Sequence, residues 1–292
     1  MAERAALQPL AEQAAARLPP LLVAAERVAA TVAQGVHGRR RVGQGETFWQ
    51  FRQYQPGDAA ARIDWRESAK TERLYVRETE WEAAQSVWLW RDSSASMDWA
   101  SDPNLPTKRR RADLLLLALA ALLIRGGERV TLMGSGLMPS NGRAVLTRLA
   151  ATIEREKRSQ ANLPAFEPLP RYGQIVMMGD LLAPLPEIHA LVARFSGAGI
   201  RGHLIQVLDP AEETLPFDGR VRFEGLEGED ALLLSRVETV RDEYLEKLQR
   251  HRDGLAAIAR AAGWSFGMHG TDRPPHTALL ALFAAMTRPV GR

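Results

Sequence analysis

Ser86-Val87-Trp88-Leu89-Trp90-Arg91-Asp92-Ser93-Ser94-Ala95-Ser96-Met97 is the stretch on which the reading of this chain turns. Val87 to Trp90 has the β-branched and aromatic composition of a buried strand, and it stops abruptly at small polar residues. Asp92, Ser94 and Ser96 form Asp-x-Ser-x-Ser, so three oxygen side chains fall at alternate positions just past the carboxyl end of that strand. A tight loop there can turn them toward one point. A carboxylate with two hydroxyls is a hard-oxygen set suited to Mg2+ or Mn2+ rather than to soft metals. The same residues also make ordinary turns and helix caps, so a metal reading needs a second acid at the end of another strand. Asp180 is that acid, in Gly179-Asp180-Leu181 after the apolar run Gln174 to Met178.

Outward from this stretch, helical and strand patterns alternate. Lys108 to Arg125 reads as a helix stopped by Gly126-Gly127, and Arg129 to Met133 as a core strand. Gly134 to Gly142 is a loop, Arg143 to Arg158 a helix, and Ala161 to Tyr172 a proline-containing loop. Pro184 to Phe195 is a helix and Gly202 to Leu208 a strand ending at Asp209-Pro210. After an acidic excursion from Thr214 to Asp230 that holds a short extended piece, Arg220 to Glu224, Val237 to Ala262 is a long helix, Trp264 to Met268 a last strand and Pro275 to Met286 a last helix. The repeating strand-helix unit predicts an α/β fold, a mainly parallel sheet covered by helices on both faces. Gly197, Gly199 and Gly202 spell G-x-G-x-x-G, but they follow a helix and open a strand, the reverse of the dinucleotide fingerprint.

Composition narrows the function classes. The chain has 292 residues, 46% of them hydrophobic and 25% charged, an ordinary globular composition. Its 38 basic and 35 acidic residues leave a formal charge of +3, too small an excess to indicate a nucleic-acid partner. With no cysteine, disulfides, thiolate metal sites and cysteine nucleophiles are excluded. No unbroken apolar stretch is long enough to span a membrane, and the amino-terminal residues lack a signal-peptide core, so a cytoplasmic protein is expected.

Residues 1–34 read as a helical segment, split at Pro19-Pro20, with Leu7, Leu10, Ala14 and Leu18 at amphipathic spacing. Residues 35–82 read as a small β-rich module, and 83–292 as the α/β domain. In the module, Gly38 to Glu46 is rich in glycine and arginine. Phe48, Trp49, Phe51, Tyr54 and Trp65 then crowd around the turn Gln55-Pro56-Gly57-Asp58. Arginines among aromatics also suit single-stranded nucleic acid, yet Glu46, Asp58, Asp64, Glu67 and Glu72 spoil a positive groove.

Gly45-Glu46-x-Phe48, Arg52-x-Tyr54-x-Pro56-Gly57-Asp58 and Arg62-x-Asp64-Trp65 resemble the signature of the bacterial "domain of unknown function 58" proteins. Asp92-x-Ser94-x-Ser96 with Asp180 resembles the metal-ion-dependent adhesion site of von Willebrand factor A-like, or Rossmann-like, domains. Together these likenesses run over roughly Gly35 to His269. They imply Ser94 and Ser96 as direct ligands of Mg2+ or Mn2+, Asp92 and Asp180 acting through water, and an open position for a partner's carboxylate. The threonine such a site usually takes from an intervening loop has no counterpart, because Thr147 and Thr152 lie inside a predicted helix. The family resemblance further implies a non-enzymatic adaptor working with a MoxR-type AAA+ ATPase in protein assembly or maturation. A metal-dependent hydrolase using Asp92 and Asp180, or a scaffold that binds no metal, are the alternatives.

Overall fold

The computed structural model describes residues 20–36, 47–55, 63–71, 73–80, 84–156, 159, 161–226, 228 and 230–287. The amphipathic spacing from Leu7 to Leu18, the run from Gly38 to Glu46 and the turn at Pro56-Gly57-Asp58 lie outside the described residues. The chain divides into two units, residues 39–84 and the remainder.

Helix α1 (Pro20–Val36) opens the larger unit. In the smaller unit, strand β1 (Thr47–Gln53) and strand β2 (Tyr75–Glu80) pair antiparallel, with a register irregularity between Phe48 and Gln50. Between them a single turn of helix, α2 (Trp65–Ser68), is capped by Asp64, whose carboxylate accepts the Glu67 amide at 3.0 Å.

The larger unit then resumes with strand β3 (Ser86–Arg91), helix α3 (Lys108–Arg125), strand β4 (Arg129–Leu132), helix α4 (Arg143–Arg155) and strand β5 (Gln174–Gly179). Helix α5 (Leu185–Gly197), strand β6 (Arg201–Leu208) and the short helix α6 (Pro210–Thr214) follow. Strands β7 (Val221–Phe223) and β8 (Leu232–Leu234) form a small antiparallel pair. Helix α7 (Arg241–Ala261), strand β9 (Ser265–Gly270) and helix α8 (Pro275–Met286) complete the unit.

The sheet order is β4-β3-β5-β6-β9, with every neighbouring pair parallel. This is a doubly wound α/β arrangement, and the order reverses between β3 and β5. Alternate strand residues feed two cores. Val87, Leu89, Val176 and Met178 face a layer of α1, α3, α4 and α8, whereas Trp88, Ile175 and Met177 face α5 and α7. Past its charged first turn, helix α3 is apolar all round from Leu114 to Ile124 and nearly wholly buried there, as such a stretch must be. It starts at a Thr107 cap, whose hydroxyl accepts the Arg110 amide at 3.2 Å.

Two of the three glycines that spell the motif serve the turn and the packing after α5. Gly199 takes a left-handed φ of 80° in the turn, and a Cβ on Gly202 would lie 2.2 Å from the Trp264 indole. Strand β7 falls within the extended piece read at Arg220 to Glu224, whereas helix α6 and strand β8 were not read from the sequence. Asp209 was legible as a strand end, yet it also begins a capping box with Glu212 that turns Pro210–Thr214 into a helix.

His203 on β6 is buried, with Nδ1 2.7 Å from the Ser265 hydroxyl, and burial, then Arg201, lowers its pKa to about 4. The unfolded chain therefore takes up a proton below the ordinary histidine value that the native state refuses. Stability from His203 is full above about pH 6.5 and is lost on acidification, by roughly 2 kcal/mol at pH 5. Urea unfolding of wild type and His203→Asn at pH 7 and pH 5 checks this. The variant is expected to lose less stability between the two.

Candidate functional site at the carboxyl edge of the sheet

The four oxygen-bearing residues read from the sequence come together where the strand order reverses. Asp92 follows β3 directly, and its amide donates to the Met178 carbonyl of β5 at 2.8 Å, which carries the pairing one step past the strand. Its Oδ1 accepts the Ser94 amide at 2.7 Å. Ser94 Oγ and Ser96 Oγ are 3.0 Å apart, and Ser96 donates to Asp180 Oδ2 at 2.8 Å. Asp92, Ser94 and Asp180 are buried, and Ser96 is half-buried.

Local backbone features make this approach possible. A Cβ on Gly179 would lie 2.7 Å from Asp92 Cβ, so a glycine is needed for the two loops to lie side by side. After Asp180 the chain turns through Leu181 at φ 51°, a left-handed conformation that costs a non-glycine residue about 1–2 kcal/mol. Neighbouring bonds hold that turn. Gln206 Nε2 donates to the Asp180 carbonyl at 2.9 Å, His251 Nε2 lies 2.7 Å from the Leu181 carbonyl, and the Leu182 amide donates to Asp180 Oδ1 at 3.3 Å.

A fifth residue changes the electrostatics. Lys108, the first residue of α3, is 1% exposed, and its Nζ donates to Asp180 Oδ2 at 3.0 Å and to Glu212 Oε1 at 2.6 Å. Burial pulls the lysine pKa down, but Asp180 and then Glu212 more than offset it, so it ends above its ordinary value and the group is an ammonium. Burial raises Glu212, against the pull of Lys108. The amino end of the α3 dipole adds positive potential to the same cluster.

This placement decides whether the residues suit the ion that the resemblance implies. Asp92, Ser94, Ser96 and Asp180 are hard-oxygen donors of the right kind. However, Asp180 Oδ2 already serves both Ser96 and the Lys108 ammonium. A divalent ion sharing that carboxylate with an ammonium meets repulsion on the order of several kcal/mol at an effective dielectric of about 20. With Lys108 so placed, the set does not fit Mg2+ or Mn2+. Among the described residues, no group of three or more His, Cys, Asp or Glu side chains could hold a metal ion.

Other buried and half-buried charges are paired in the same unit. Arg91 pairs with Asp113 and, at 3.2 Å, with Glu156. Burial, only partly offset by Arg91, raises Asp113 to about 6. Arg111 donates to the carbonyls of Thr271 and Arg273, and Arg252 binds Gln206 and Glu213. Lys108 and Glu212 are the members that the sequence reading passed over. Two signals pointed to them. Lys108-Arg109-Arg110-Arg111 places four cations in the first turn of a helix, against its dipole, and Asp209-x-x-Glu212 is a capping box.

Comparisons with known proteins bear on family and location. The chain is 28% identical to uncharacterized proteins of Mycobacterium tuberculosis and Mycobacterium bovis, over 79% of this chain and 76% of theirs. Among solved structures it is similar to the conserved hypothetical protein BatB from Bacteroides thetaiotaomicron, at 13% identity and a TM-score of 0.39. An aerotolerance-related membrane protein from Bacteroides fragilis is similar at 15% identity and a TM-score of 0.39, each of these two matches covering 70% of this chain and 98% of the other. An uncharacterized membrane-spanning protein from Vibrio fischeri is similar at 11% identity and a TM-score of 0.21, over 71% of this chain and all of that one. The cytoplasmic expectation is withdrawn, because it rested only on a missing apolar stretch; two of these three structures are described as membrane proteins. Among the described residues no helix is long and apolar enough to cross a membrane, but that bears on helical spans and not on compartment. The model of the family "Protein of unknown function DUF58" matches residues 50–254, and the chain belongs to that family.

Proposed function

We propose that the chain is a non-enzymatic protein-binding module with a von Willebrand factor A-like domain, acting as an adaptor for a MoxR-type AAA+ ATPase. The observation that carries this reading is the convergence of Asp92, Ser94, Ser96 and Asp180 on the reversal point between β3 and β5. In open α/β sheets, ligands seat at this edge. The cluster lies mostly beneath the surface, so its part is to hold the loops after β3 and β5 in one arrangement. The turn at Leu181 leaves the next side chain, Leu182, 47% exposed at that rim, an apolar group suited to a protein partner.

The state of the carboxylates favours binding over acid–base chemistry. Asp180 divides one oxygen between Ser96 and Lys108 while the other faces the Leu182 amide, and Asp92 Oδ1 is engaged by the Ser94 amide. General acids and bases must reach a substrate proton, and both Asp180 oxygens and Asp92 Oδ1 are already engaged by neighbouring groups within a buried cluster. The sequence has no phosphate-binding loop, so ATP hydrolysis falls to the partner.

Two experiments test the reading. In equilibrium binding to a purified MoxR-type ATPase of the same organism, Leu182→Glu is expected to weaken the complex by at least about tenfold, roughly 1.4 kcal/mol. Absence of binding by wild type, or equal binding by the variant, contradicts it. Gly179→Ala forces Asp92 away from β5. It is expected to cost about 1–3 kcal/mol in urea unfolding and to weaken the same complex, whereas unchanged stability would mean the loops do not need this close approach.

A further inference from the structure

Lys108 breaks a local rule and is tied to the site by the bonds that compensate for it. A lysine in the first turn of a helix opposes the macrodipole, and a fully buried ammonium has lost its hydration. Both penalties are met at one place, by the carboxylates of Asp180 and Glu212. The same residue's amide donates to the Trp99 carbonyl at 3.3 Å, so it also anchors the end of the serine loop, whose turn Ala95–Asp98 lies just before. Places where local preference is broken and compensated elsewhere are where functional or strained sites are expected.

The hydroxyl chemistry points the same way. A serine that ligates a metal offers an oxygen lone pair to the ion. Here Ser94 and Ser96 bond to each other, and Ser96 continues to Asp180 Oδ2, the atom that also receives Lys108. The oxygens are thus linked into one network that ends on an internal cation.

We infer that the Lys108 ammonium takes the place of the divalent cation in this adhesion-type site, so that the site is assembled without metal and is insensitive to chelators. A covalently held cation cannot dissociate. The loops after β3 and β5 therefore keep their arrangement whatever the Mg2+ concentration, and partner binding does not run through a metal bridge. The inference concerns the interior of the cluster and stands or falls separately from the docking reading, because its test reads metal uptake and melting temperature rather than partner capture.

The experiment uses Mn2+ as the probe, its uptake followed by electron paramagnetic resonance, alongside melting in Mn2+ and in EDTA. Wild type is expected to take up no Mn2+ at this site and to melt at the same temperature in both. Lys108→Ala removes the ammonium and leaves the oxygens, so it is expected to melt lower in EDTA, to bind Mn2+ and to recover part of its melting temperature. Adding Ser96→Ala abolishes that recovery. If Lys108→Ala does not fold in EDTA, refolding in Mn2+ gives the same readout, and recovery there supports the inference. Stoichiometric Mn2+ uptake by wild type that is lost in Ser96→Ala overturns it. So does a Lys108→Ala protein whose melting or refolding ignores Mn2+.

Discussion

The contact of one ammonium, Lys108 Nζ, with two carboxylates from different strand ends is the constraint on which the carboxyl edge of this domain depends. It joins the start of α3, the loop after β5 and the short helix after β6. A buried ion pair is weak evidence for net stability, because both charges give up their hydration. Removing one partner is another matter, costing about 3–5 kcal/mol when the other charge is left buried. Such a contact acts mainly as a specifier of geometry. It admits one arrangement of the loops and penalises the rest.

The remainder of the larger unit serves that arrangement. Two apolar cores clamp the central strands, one beneath α1, α3, α4 and α8 and the other beneath α5 and α7. Held in this way, β3 and β5 deliver Asp92 and Asp180 side by side, with Gly179 leaving room between them. Strain at Leu181 persists because Gln206 and His251 bond the carbonyls on either side of it. Rigid strands thus set the loops, and the loops carry the exposed groups.

Much of this was legible in the sequence because it follows from periodicity. Lys108–Arg125 and Pro275–Met286 match the helices read from pattern alone, and the strand cores of β3, β4 and β5 follow from short apolar runs. The cluster of Asp92, Ser94, Ser96 and Asp180 was legible because each residue lies at a strand end, where topology brings it to a common edge. Lys108 and Glu212 were not. Lys108 meets Asp180 across 72 residues and Glu212 across 104, and nothing local marks a charged side chain as buried until the fold closes over it. Read without Lys108, the same oxygens resemble a metal site, which is what the sequence pattern led one to expect. Strand β8 and the short helix α6 carry too few residues for a periodic signal, and the compartment was inferred from a missing feature.

Diffraction at the manganese absorption edge, from crystals grown in Mn2+, tests the central claim most directly. The account predicts Lys108 Nζ between Asp180 and Glu212 and no anomalous peak among Asp92, Ser94, Ser96 and Asp180. A manganese peak bonded to the Ser94 and Ser96 hydroxyls, with Lys108 turned away, would contradict it.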